Sequence, residues 1–172
     1  MAAVIEIHEL TTDANTGVNK TSGTVRFKNV ASTTSTAVDT SDPLQVPAAG
    51  TNYSYVKKLR AKMTTAPNTN ISNMRWYTDG SSGFGTGITT NAKNIGTTFG
   101  THYNTAMTGG SSLFGYTSGS PLDGDGTDVS PFVPADNNTY IGDIIELQMS
   151  VASTASNGAL TPETVTLAYD EI

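Results

Sequence analysis

NISNMRWYTDG, residues 70–80, decides the fold class. In an extended chain Met74 and Trp76 fall on one side and Arg75 and Tyr77 on the other, and Asp79-Gly80 then supplies a tight turn. Such period-two alternation is the pattern of a half-buried β-strand. It recurs in both directions. VIEIHEL (4–10) sets Ile5 and Ile7 against Glu6 and His8, and TVRFKNV (24–30) sets Val25 and Phe27 against Arg26 and Lys28. These two are expected to form a hairpin with acids facing bases, each opposed pair contributing about 0.2–1 kcal/mol. NYSYVKKLRAKM (52–63) reads as a strand with Tyr53, Tyr55, Leu59, Ala61 and Met63 on one face and Val56, Lys58, Arg60 and Lys62 on the other. Toward the C-terminus, YIGDIIELQMSVAS (140–153) turns Ile145, Leu147, Met149 and Val151 inward, and ETVTLAYDEI (163–172) turns Val165, Leu167 and Tyr169 inward.

Composition agrees with this reading. Threonine's branched β-carbon favours strands, and 17 Gly and 7 Pro interrupt the chain too often for long helices. At 172 residues the chain is the length of one domain, with no internal repeat or linker, so residues 1–172 are expected to form a single β-sandwich domain. The fold class expected is all-β, an antiparallel β-sandwich or jelly-roll-like fold with long Gly/Ser/Thr-rich loops. Residues 31–50 read as a surface excursion with an edge segment at Leu44 and Val46, 80–87 as a glycine-rich hairpin tip, and 111–138 as a long loop. Apolar residues in 88–110 are too sparse to assign an element.

With no cysteines, disulfides, thiolate metal sites and cysteine nucleophiles are excluded. The N-terminal MAAVIEIHEL has acids where an export signal carries bases, and no apolar run reaches membrane-spanning length, so synthesis in a cytoplasm and no membrane partner are expected. The net charge of −6 is unevenly spread. All nine basic residues precede position 94, and the acids Asp123, Asp125, Asp128, Asp136, Asp143, Glu146, Glu163, Asp170 and Glu171 follow it. The two regions either neutralise each other by strand pairing or present opposite faces to neighbouring copies.

Chemical motifs are few. Asp123, Asp125 and Asp128 in SPLDGDGTDVSP (120–131) invite a calcium reading, but an EF-hand would need glycine where Asp128 stands and a closing glutamate. Asp-Gly pairs make turns unaided, so these three form a weak metal set, and no cofactor is otherwise expected. Residues 80–87 lack the lysine and helix of a phosphate loop, no G-x-S-x-G elbow accompanies His8 or His102, and the later acids sit mostly in turns. No enzyme is expected. The basic stripe Lys57, Lys58, Arg60 and Lys62, beside Tyr53 and Tyr55, has the ingredients of a nucleic-acid surface, but a pI near 4.6 opposes polyanion binding. The stripe fits a contact with carboxylates of a neighbouring subunit better.

A cysteine-free, Thr/Ser/Asn/Gly-rich chain that opens on VIEIHELT, carries ISNMRWYTDG mid-chain and ends on LAYDEI resembles the small virion proteins of tailed bacteriophages. It is most similar in style to capsid decoration, or cement, proteins. The resemblance implies a β-rich homo-oligomer, a trimer above other states, that sits on the capsid surface of the virion and clamps major capsid protein subunits. On that reading Lys57, Lys58, Arg60 and Lys62 supply one contact face, and Leu113, Phe114, Tyr116 and Phe132 supply apolar anchors or else close the sandwich core. Two alternatives stand: a phage tail or neck component, and a carbohydrate-binding β-sandwich module with Trp76, Tyr77 and Tyr116 as stacking platforms.

Overall fold

The computed structural model describes residues 2–11, 16–31 and 42–172. Ten strands are described: β1 (Val4–Leu10), β2 (Gly17–Asn19), β3 (Thr51–Tyr53), β4 (Lys57–Thr65), β5 (Ile71–Tyr77), β6 (Ile88–Asn94), β7 (Ser111–Ser112), β8 (Leu122–Asp123), β9 (Tyr140–Ala152) and β10 (Thr166–Glu171). Every described pairing is antiparallel. Two sheets pack as a β-sandwich, as the alternation requires. Its layers are unequal. A seven-stranded sheet runs β2-β1-β4-β9-β6-β7 with β3 also on β9, and a three-stranded sheet runs β10-β5-β8, whereas a jelly roll distributes eight strands over its two sheets. Among the described residues no helix is long and apolar enough to cross a membrane.

The 13-residue β9 is the spine of the large sheet. Along one edge it carries β4 and then β3, and along the other it carries β6 from Ile88↔Val151 to Asn94↔Ile145. Its inward residues build the core as predicted: Ile145 and Leu147 meet Leu59, Trp76, Ala92, Leu113 and Phe114. Nearer the start of β9, Ile141 meets Ala61, Met63, Ile71, Met74 and Phe132. Between the two groups the β4–β9 register slips, so that Leu59 opposes Ile145 but Ala61 opposes Ile141. Gly142 absorbs the irregularity at φ +68°, where a Cβ would stand 2.6 Å from the Gly124 carbonyl oxygen. The bulge frees the Asp143 amide to bond Gly124 O and the Ile144 amide to bond Gly96 O.

One expectation is corrected. Residues 24–30 do not form a strand on β1, because β2 and β4 take its two edges; Lys28 makes only an isolated bridge to Pro43. Residues 88–94, left unassigned from sequence, form β6 beside the spine. The segment 111–138 is an ordered chain of short elements, including β7, β8 and 3-10 turns at Leu113–Gly115 and Pro134–Asp136. Of the surface excursion, 32–41 lies outside the described residues.

Candidate functional site

The alternation that places Leu59, Ala61 and Met63 against the core turns Lys58 and Arg60 to the opposite face of the large sheet. That face is covered. Residues 97–110 cross it, fastened from below: Lys58 Nζ donates to Thr101 O at 2.8 Å, and the Gln148 side chain donates to Thr105 O at 2.8 Å while accepting the Met107 amide at 2.8 Å. Glu146, buried opposite Lys58 in β9, accepts Tyr103 OH at 2.9 Å and lies 3.1 Å from Lys58 Nζ and 3.2 Å from Lys93 Nζ. Phe99 lies under Lys58 Nζ at 4.8 Å from its ring centre, so the ammonium is sandwiched between a carboxylate and an aromatic face.

Burial sets the protonation behaviour of this layer. Burial pulls the Lys58 ammonium below the usual lysine range, against the pull of Glu146. Burial would lower Lys93 too, but hydrogen bonds with Tyr103 and Glu146 outweigh it and hold its ammonium above the usual value. Tyr103 is raised, first by burial and then by its bond to Glu146. His102 is lowered by burial and by the nearby Lys58 and Lys57 cations.

The other cations of the stripe are equally occupied. Lys57 Nζ donates to Glu9 Oε1 at 2.9 Å, and Lys20 Nζ stands 3.6 Å from Glu9 Oε2, all three side chains being enclosed. Arg60 donates to Gly142 O at 2.7 Å through Nε and to Asp128 Oδ2 at 2.9 Å. Burial nevertheless raises the Asp128 carboxyl, outweighing Arg60. Lys62 is half-buried, with Nζ 5.7 Å from the centre of the Tyr140 ring. Lys57, Lys58 and Arg60 therefore hold the fold together from inside instead of forming the expected outward face.

The acidic stretch is a stapled loop. Asp143, 1% exposed, accepts the Thr127 and Asp128 amides and the Asn94 side-chain amide, each at 2.8 Å. Asp123 Oδ1 accepts the Asp125 amide at 3.0 Å, and Asp128 is engaged with Arg60. Asp123 and Asp128 are thus committed to a turn and an ion pair, the buried Asp125 Oδ2 has no hydrogen-bond partner among the described residues, and among those residues no group of three or more His, Cys, Asp or Glu could hold a metal ion. His8 bonds Glu6 at 2.8 Å and Tyr140 at 3.0 Å, and among the described residues no serine joins the arrangement.

Of the expected anchors, Leu113, Phe114 and Phe132 are buried in the two core groups, and Tyr116 is half-buried against one of them. They close the sandwich. Trp76, at 2% exposure, is likewise core and offers no stacking face. Sequence reasoning missed Glu9, Tyr103, Asp143, Glu146 and Gln148. The signal for Glu146 was available, as an acid in the middle of the longest alternating run opposite a basic strand.

With the interior cations accounted for, the exposed charged side chains among the described residues are all acidic. None of the nine basic residues is exposed: Lys20, Lys28, Lys57, Lys58 and Arg60 are buried and the other four half-buried. Asp42, Asp79, Asp123, Asp170 and Glu171 are exposed. No protein-family model matches the chain, and no curated protein or solved structure matches it.

Proposed function

We propose that this chain is a non-enzymatic structural protein of a viral particle, decorating and stabilising the capsid by binding major capsid subunits. The observation that supports this most is the uneven placement of charge: Lys20, Lys57, Lys58 and Arg60 are buried in ion pairs, and among the described residues the exposed charged side chains are acidic. Such a surface docks by shape and by long-range attraction to a basic counterpart, and it repels nucleic acid. Assembly as a homotrimer at the capsid surface belongs to the same reading. The partner's contact residues are then cationic, the reverse of a contact in which this chain supplies the lysines.

Co-sedimentation with assembled capsids tests it. Binding that weakens as ionic strength rises from 0.05 to about 0.5 M supports the proposal, since contacts between exposed charges are screened over that range. Failure to bind capsids, with binding to isolated tails, would move the protein to the tail or neck. The carbohydrate-module reading loses its principal platform with Trp76 in the core.

A further inference from the structure

The unequal layers leave part of the large sheet's inner face without a strand above it. There the floor is made by Ile7, Leu59, Thr90 and Leu147, and irregular chain bearing Phe27 and Phe84 forms the roof. Between them lies a cavity of about 330 Å³. Its lining is mostly apolar, with Thr21, Ser22, Thr24 and Thr164 among the polar residues around it and Thr90 at the floor. Thr90 is 1% exposed, and its Oγ1 has no hydrogen-bond partner among the described residues. Thr90 lies two residues before the core residue Ala92 on β6, so both side chains face the space between the sheets. A buried hydroxyl without a partner is uncommon and costs stability unless something satisfies it. The charged groups at the rim are already engaged: Lys20 faces Glu9, and Glu163 Oε1 accepts the Gly83 amide at 2.6 Å.

We infer that this cavity is a binding site for a small uncharged amphiphile, an apolar body with one hydroxyl or carbonyl that reaches Thr90 Oγ1. A mostly apolar cavity with a few polar groups is the ordinary form of a small-ligand site. At about 30 Å³ per water-sized group, the volume takes roughly ten such groups. A carboxylate is disfavoured, because it would lose its hydration where the floor offers a single hydroxyl and no uncommitted cation. This site is independent of the capsid-binding proposal, since it lies between the sheets and not on the outer surface.

The test is methyl-resolved NMR titration of the intact chain with 1-nonanol, nonanoate and n-nonane. Saturable shifts at the Ile7, Leu59, Thr90 and Leu147 methyls with 1-nonanol, and weaker ones with nonanoate, are expected. Thr90→Val should weaken 1-nonanol binding about fivefold, the worth of one net hydrogen bond, while leaving n-nonane binding unchanged. Thr90→Ser, which retains the hydroxyl, should restore the alcohol preference. Absence of saturable shifts at these methyls with every probe would overturn the inference, as would a Thr90→Val protein that binds 1-nonanol as tightly as the natural chain.

Discussion

Replacing Lys57 by methionine removes the nearer of the two cations beside Glu9. The Glu9 carboxylate is fully enclosed, with Lys57 Nζ at 2.9 Å and Lys20 Nζ at 3.6 Å. Stranding one member of a buried pair costs about 3–5 kcal/mol, and the surviving Lys20 contact places this site at the lower end, near 3 kcal/mol. For a chain of this length each kcal/mol moves the melting midpoint by about 2–4 °C, so Lys57→Met should melt about 6–12 °C lower. The chain's one tryptophan, Trp76, is buried in the core, so its fluorescence follows loss of the sandwich during urea or thermal unfolding. The double variant Glu9→Gln/Lys57→Met removes both ends of the shorter bond and should recover about half or more of the loss, giving a clear coupling energy in the four-member cycle. A Lys57→Met protein that melts within 2 °C of the natural chain, or a double variant whose losses simply add, would refute the claim that this pair holds β1 to β4.

Other expectations concern the loops and the bulge. Gly142→Ala forces a Cβ into the Gly124 carbonyl at φ +68°, so it should destabilise by more than about 2 kcal/mol in the same unfolding assay, whereas Gly50→Ala, with open space around it, should cost only its backbone strain of about 1–2 kcal/mol. Asp143→Asn halves the acceptor capacity for three N–H groups, and hydrogen exchange should quicken selectively at the Thr127 and Asp128 amides. His102 binds its proton less readily in the folded chain than its ordinary 6.5, so the unfolded chain protonates first on acidification. Stability should fall as pH drops from about 7 through 6.5, and His102→Gln should flatten that part of the profile; Asp128, with its carboxyl raised, acts with the opposite sign at lower pH.

Strands whose two faces differ in chemistry were readable from sequence. β1, β5, β9 and β10 all carry an apolar row against a polar one, and each appears where the pattern puts it. β6 was hidden because ITTNAKN offers only Ile88 and Ala92 as apolar residues, with Thr90 occupying an inward position that a larger apolar side chain would have advertised. The stripe on β4 misled for a different reason. Period two reports what kind of side chain shares a face, and nothing in it says whether water or another part of the chain lies above. Lys58 and Arg60 do share a face, but the groups that cover them come from Glu146, 88 positions later than Lys58, and from Asp128 in a loop. Similarly, 24–30 alternates as a strand would, yet the edge of β1 it would have joined is taken by the three residues of β2, a pairing set by chain geometry and not by side-chain pattern.

The burial of Lys57 and Lys58 has a practical corollary for anyone seeking to map this protein's contacts. Amine-directed labels and cross-linkers depend on ammonium groups standing free in solvent, and here those of Lys57 and Lys58 lie under Glu9, Glu146 and Phe99. Acylation of these two side chains becomes a clock for how often the sandwich breathes. Carboxyl-directed conjugation has exposed targets in Asp42 and Asp79.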